Sequence, residues 1–201
     1  MERLIKPDVV ATLPRNINHH AYTPLHSTVT ALLPLATQIS IGFNDAKPPR
    51  RSVLVAVDIS KAFDSVDHTL FIEEMSATEL HPNYKRWISA YLRGRTASCS
   101  YNGAISRQLK VKTGFPQGSV LSPNLWNSFV ADCPDAAEVN SGYADDLNQL
   151  ESDPDLQELE RKSNVSVQAV SDWSKKKKLI IAPEKSQVTF FSPDSHQANH
   201  H

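Results

Sequence analysis

Apolar positions recur with two different periods along this chain, and the switches between them mark its elements. From Ser27 to Phe43 the spacing predicts a helix, with Ser27 or Thr28 as N-cap. Pro34 inside it should kink it or break it in two. Val53-Leu54-Val55-Ala56-Val57 is a continuous apolar run, as in a strand buried on both faces, and it ends at Asp58. Helices follow over Thr69–Met75 and Asn83–Leu92. In the second, Tyr84, Trp87, Ile88, Tyr91 and Leu92 share a face, and Gly94 is a natural stop. Thr96–Tyr101 and Gln108–Thr113 read as strands about the turn signal Asn102-Gly103. A loop, Gly114–Ser119, leads into a helix through Leu125, Trp126 and Phe129. Val139–Tyr143 and Leu147–Leu150 form a second hairpin with Ala144-Asp145-Asp146 at its turn. Asp153 and Pro154 open a long amphipathic helix to about Lys178, and Ser186–Phe191 is the last strand.

Without the first hairpin this order is βαββαβ, a split-βαβ plan with an antiparallel sheet packed by helices, of α/β (α+β) class, with no domain boundary. Composition agrees with a globular chain: 201 residues, 40% hydrophobic and 21% charged. No apolar run reaches the roughly 20 residues of a membrane span. Two cysteines, Cys99 and Cys133, form neither a disulfide framework nor a metal cluster, so an intracellular setting is expected. Charge changes little. With 21 Lys and Arg against 22 Asp and Glu the net is −1, and nothing in that total announces a nucleic-acid partner.

Three features carry candidate chemistry. Asp58, at the end of a buried strand, is either an exposed functional carboxylate on a rigid element or a cap for the next helix. Asp145-Asp146 is either a solvated turn or part of an acidic cluster. The split-βαβ plan sets the first strand beside the central hairpin, so Asp58 and Asp145 should converge. Carboxylates so placed repel one another, and a divalent cation with hard oxygen ligands would relieve them. Gly114-Phe115-Pro116-Gln117-Gly118-Ser119 permits close backbone approach and offers the Gln117 amide. It is equally readable as a strand-to-helix turn capped by Ser119.

Together these segments resemble a known family. Val55–His68, with Asp58 and Ala62-Phe63-Asp64, looks like motif A of reverse transcriptases, closest to the non-LTR (LINE-like) retrotransposon class. Gly114–Pro123 resembles motif B, Tyr143–Asp146 motif C, and Ala182-Pro183-Glu184-Lys185-Ser186 motif D. Pro24–Leu32 resembles the segment that precedes motif A. The spacings, 59 residues from Asp58 to Gln117 and 28 from Gln117 to Asp145, are ordinary for the family.

The resemblance implies a right-hand polymerase palm using two Mg2+ ions, with Mn2+ as a substitute, and acting on an RNA template, a DNA primer and dNTPs. Asp58 and Asp145 would bind metal with Asp146 supporting, and the Ile59 carbonyl would lie beside it. Phe63 would exclude a ribose 2′-hydroxyl, unless it is simply core. Gln117 and Gly118 would line the nucleotide pocket. Lys185 would act near the pyrophosphate, or be a plain surface lysine. Lys175–Lys178 would contact phosphates, or complement a helix dipole. The likeness covers roughly Pro24 onward, with nothing matching before Ala21. It divides the chain into a fingers remnant (1–51), a palm (52–191) and a tail (192–201), in a protein truncated at fingers and thumb. The activity expected is RNA-directed DNA polymerisation, in the nucleus if it primes on target DNA. The alternatives are an inactive retroelement relic that at most binds nucleic acid weakly, or, more remotely, an unrelated Mg2+ phosphotransferase. Oligomeric state is left open.

Overall fold

A computed structural model describes residues 1–45 and 47–193, so most of the expected tail, including His200 and His201, lies outside the described residues. The first element is one that periodicity did not suggest, α1 (Glu2–Thr12), with Pro7 inside it and Ile5 and Val9 buried. Next comes α2 (Thr28–Asn44), opened by a capping box between Ser27 and Thr30. Pro34 does not divide it; one helix runs through.

The sheet is built on β1 (Arg51–Ser60), which runs past Asp58 instead of ending there. Along it Val55, Val57 and Ile59 are buried, while the alternate Leu54, Ala56 and Asp58 are only partly covered. The strand is therefore half-buried with period two, not buried on both faces as the continuous apolar run suggested. After a short turn of helix, α3 (Ala62–Ser65), come α4 (His68–Ser76) and α5 (Pro82–Leu92). The Asp67 side chain accepts from Leu70 N–H and so caps α4. The first hairpin is an exposed arm of two short ladders. β2 (Thr96–Ala97) pairs with β5 (Leu109–Lys110), and β3 (Ser100–Tyr101) with β4 (Ala104–Ile105). Asn102 and Gly103 turn it at φ 47° and 78°, as the dipeptide promised.

α6 (Ser122–Phe129) leads to the hairpin of β6 (Val139–Tyr143) and β7 (Asp146–Asp153). α7 (Leu156–Lys176) is capped by Asp155, whose carboxylate accepts from Gln157 and Glu158 N–H. β8 (Ile180–Ile181), not expected from sequence, pairs with the end of β1, and β9 (Gln187–Phe191) pairs with its beginning. All neighbours are antiparallel, in the spatial order β6-β7-β1 with β8 and β9 on the far side of β1. That is the split-βαβ sheet the element order implied. The core joins the buried face of β1 to α4, α5, α6 and α7 through Phe71, Ile88, Trp126, Phe129 and Trp173. Among the described residues no helix is long and apolar enough to cross a membrane.

Candidate active site

Asp58 lies opposite Asp146, the first residue of β7, in the β1–β7 register. Directly opposed residues of an antiparallel pair project to one face, with Cβ atoms roughly 4.5–5.5 Å apart. Asp145 occupies the two-residue turn with Ala144, closed by the Tyr143–Asp146 pair. Ala144 takes φ 57° there, the left-handed geometry such a turn demands. Three acids thus stand at one end of the sheet. Burial first, then the charges of Asp145 and Asp58, hold the Asp146 carboxyl above the ordinary range. The capping alternative for Asp58 falls away, since the N-cap position of α3 is Lys61 and no side chain bonds there.

Asp58 is fastened through its backbone. Its N–H donates to Ser186 Oγ (3.2 Å), its carbonyl accepts from Ala182 N–H (2.9 Å), and Ser186 Oγ donates to Ala182 O (2.9 Å). The tight turn Ala182–Ser186 is thereby locked onto β1, and Lys185 Nζ stands 3.7 Å from Asp58 Oδ1. That distance is an ion pair but not a hydrogen bond. Asp58 Oδ1 is shut off from solvent and accepts no hydrogen bond. A bare anionic oxygen is costly, and a lysine as exposed as Lys185 offsets little of that. Hard oxygen donors, one of them bare, fit a divalent cation. Among the described residues, however, no three His, Cys, Asp or Glu side chains converge into a metal cage.

The loop Gly114–Ser119 is strapped to the chain that follows Asp58. Gly114 N–H donates to Val66 O and Phe115 N–H to Phe63 O, both at 2.8 Å, and His68 Nε2 donates to Gly114 O at 2.7 Å. Gly114 sits at φ 87°, where a Cβ would stand 2.8 Å from Asp64 O. The same strap lets Gln117 Nε2 donate to Asp64 Oδ1 at 3.0 Å. Gly118 (φ 83°) faces open space. Ser119 Oγ accepts from Leu121 and Ser122 N–H, but the N-cap position of α6 is Leu121, with no side-chain cap bond, so Ser119 is not the helix cap.

Phe63 stacks on Trp126 (centroids 4.9 Å, 23°) and meets the edge of Tyr22 at 6.0 Å. Trp126 in turn donates its indole N–H to Ala144 O at 2.8 Å, tying α6 to the acidic turn. Burial, then the charges of Asp145 and Tyr143, raise the Tyr22 phenol above its usual range. Ile59 is 1% exposed and belongs to the core by its side chain.

Sequence reasoning missed the N-terminal segment altogether. Asn18 O accepts from Gly142 N–H and Gly142 O from His20 N–H, both at 2.8 Å, so residues 18–20 back the acidic hairpin. A Cβ on Gly142 would come 2.5 Å from His19 Nδ1. Burial, then the neighbouring His20, pull His19 down to about 4, leaving a neutral ring near pH 7. Glu2 reaches the start of α6, where its carboxylate accepts from Ser119 Oγ, Val120 N–H (both 2.7 Å) and Leu121 N–H. Burial pushes Glu2 up, but the hydrogen bonds from Ser119, Tyr91, Val120 and Leu121 outweigh it and leave its pKa lowered. No local pattern announces such contacts, since the partners lie more than 80 residues away. The lysine run is mostly engaged inside the protein. Lys177, 5% exposed, pairs with Glu74 (2.7 Å) and Asp132 (2.9 Å), Lys178 with Asp67, and Lys175 with Asp172.

The sequence profile of the reverse transcriptase (RNA-dependent DNA polymerase) family matches residues 3–199. The likeness therefore begins near residue 3, not near Pro24. The chain is 29% identical over 170 residues to a probable RNA-directed DNA polymerase from transposon BS of Drosophila melanogaster, covering 80% of this chain and 18% of that protein. It is 30% identical over 144 residues to the RNA-directed DNA polymerase from mobile element jockey of Drosophila funebris, covering 67% of this chain and 16% of the relative. The chain thus spans less than a fifth of these curated relatives. Among solved structures, telomerase from Candida tropicalis in complex with a telomeric RNA fragment superposes with a TM-score of 0.63 at 12% identity, covering 96% of this chain and 32% of the other. The apo telomerase truncated from its C-terminal domain gives 0.61 at 14% identity, covering 96% of this chain and 39% of that one.

Proposed function

The chain belongs to the reverse transcriptase (RNA-dependent DNA polymerase) family, in its LINE-like branch, and from that premise we propose that it is the polymerase palm of a retrotransposon. It joins a dNTP to the 3′-hydroxyl of a DNA primer on an RNA template. The observation that carries this reading is the acidic platform. Asp58 faces Asp146 across β1 and β7, Asp145 stands in the adjoining turn, and the segments resembling motifs B and D are both bonded to the segment resembling motif A. Residues 52–191 form the palm in this reading, and 1–51 belong to the fingers.

In the reaction the primer 3′-hydroxyl gives up its proton to solvent, its oxygen attacks the α-phosphorus, and the bond from that phosphorus to the pyrophosphate oxygen breaks. Asp58 and Asp145 would hold the Mg2+ pair, with Asp146 completing the negative field. When bound, the ions supply charge stabilisation at the attacking and leaving oxygens. Lys185 Nζ, beside Asp58, donates a proton to the leaving pyrophosphate. Phe63, held between Tyr22 and Trp126, is a rigid wall against a ribose 2′-hydroxyl. Gln117 and Gly118, exposed on a loop anchored at Asp64, support the base and template.

Primer extension on an RNA template with dNTPs and Mg2+ tests the proposal. We expect incorporation that falls to background in Asp145→Ala. Incorporation no greater than in that variant would leave a palm fold without polymerase activity.

A further inference from the structure

The near-zero net charge conceals a sharp segregation. Between Glu79 and Asp132 the chain has no acidic residue, yet it carries seven of the 21 Lys and Arg; that stretch is +7 and the remainder, 14 bases against 22 acids, is −8. Five of the seven, Arg93, Arg95, Arg107, Lys110 and Lys112, lie on or at the root of the β2–β5 arm, whose residues from Thr96 to Lys110 are all exposed. Of the fourteen cations elsewhere, seven, Arg50, Arg161, Lys162, Lys175, Lys177, Lys178 and Lys185, form ion pairs. Among the described residues no ion pair is formed by Arg93, Arg107, Lys110 or Lys112. Arg95 lies over the Tyr91 ring at 5.2 Å. The Glu2 carboxylate is taken by Ser119, Val120 and Leu121 at the start of α6.

Placement adds direction to the charge. Lys110 pairs with Thr96 in the register, and the exposed Lys112 follows two residues later, just beyond the end of β5. Tyr101 stands 75% exposed beside the Asn102-Gly103 turn, where an aromatic ring is available to stack on a base. The arm runs at Thr113 directly into the loop that holds Gln117 against Asp64. From there to its tip is about ten residues, at most roughly 35 Å of extended ribbon.

We infer that the β2–β5 arm is a nucleic-acid clamp, on which Arg107, Lys110 and Lys112 contact the sugar-phosphate backbone of the template–primer duplex beyond the acidic site. The inference rests on the polymerase reading for the identity of the duplex. Unpaired cations on an exposed ribbon give sequence-independent, salt-sensitive binding by counterion release.

The test is fluorescence-anisotropy titration of a labelled RNA·DNA primer–template across a salt series, without dNTPs or Mg2+, so that inactive chemistry leaves the readout intact. It compares the full chain with the triple variant Arg107→Ser, Lys110→Ser, Lys112→Ser. A second triple variant, Arg3→Ser, Arg15→Ser, Lys47→Ser, removes equal charge from other exposed sites. The arm variant should bind about ten-fold more weakly at low salt, and its slope of log K against log salt should be shallower by about 0.9 per lost phosphate contact. The control should keep the parent slope. Equal losses in both variants, an unchanged arm variant, or no duplex binding by the parent chain would each overturn the clamp. Unchanged duplex binding with lost adsorption to phosphatidylserine vesicles would reassign the arm to an anionic membrane surface. Because all three positions are exposed, the circular dichroism spectrum should be that of the parent chain.

Discussion

Replacing Gly114 by alanine tests the strap between the loop and the segment after Asp58. Two penalties act at once. At φ 87° an L-residue is strained, costing about 1–2 kcal/mol. The new Cβ would also stand 2.8 Å from Asp64 O and 2.9 Å from Asp64 Cα. These are backbone atoms, held by Gly114 N–H to Val66 O and Phe115 N–H to Phe63 O, and cannot swing aside as a side-chain tip would. Overpacking of this kind costs about 1–3 kcal/mol. Gly118→Ala isolates the first penalty, because Gly118 has φ 83° with nothing within 4 Å of a Cβ. In both variants the stiffer unfolded chain returns about 0.5–1 kcal/mol. We therefore expect about 1 kcal/mol of destabilisation for Gly118→Ala and about 3 kcal/mol for Gly114→Ala. Urea unfolding reads this as a shift in midpoint at constant m. For a chain of this size, each 1 kcal/mol lowers Tm by about 2–4 °C. Equal midpoints for the two variants would refute the claim that the loop is packed onto the Asp64 backbone.

Other consequences follow from the same contacts. The Asp146 carboxyl has a raised folded-state pKa, so its ionised form weakens the fold, and that penalty disappears as pH falls through the folded value. Asp146→Asn should then raise the urea midpoint at pH 7, with the gain lost below the ordinary aspartate value of 3.8. Mg2+ added at pH 7 should stabilise the parent chain more than Asp58→Asn, measured as a Tm shift, because binding to the native state alone adds stability. Trp126→Phe keeps the stack with Phe63 but removes the indole bond to Ala144 O. It should cost about 1–3 kcal/mol and lower primer extension beyond that, whereas unchanged extension would show that the acidic turn needs no such tie. Glu2→Ala should cost about 1–2 kcal/mol by freeing Val120 and Leu121 N–H at the start of α6, and Glu2→Gln less, both read from thermal unfolding.

What could be read along the chain was whatever depends on near neighbours. The helix periods, the Asn102-Gly103 turn and the order of the elements come from residues a few positions apart, and the split-βαβ sheet follows from that order. The acidic residues were visible for the same reason, as fixed patterns around Asp58 and Asp145-Asp146. Their arrangement was not. That Asp58 lies inside β1 and faces Asp146 depends on where a ladder stops, and the ladder extends because β7 and β8 both pair with the end of β1. The half-buried character of β1 had the same origin, since burial is decided by what packs on each face.

The sequence by itself determined most of the element order (though not α1 or β8), the family and the acidic motif, because each is carried by local pattern. Only the tertiary structure decided how that motif is held: Trp126 on Ala144, Ser186 on the Asp58 backbone, residues 18–20 behind Gly142, and Glu2 on the start of α6. It likewise withdrew Lys177 from the surface by pairing it with Glu74 and Asp132, while among the described residues Arg93, Arg107, Lys110 and Lys112 form no ion pair. Such contacts join residues 18 to 128 positions apart. Their formation depends on the fold bringing the partners together, not on any propensity of the residues themselves.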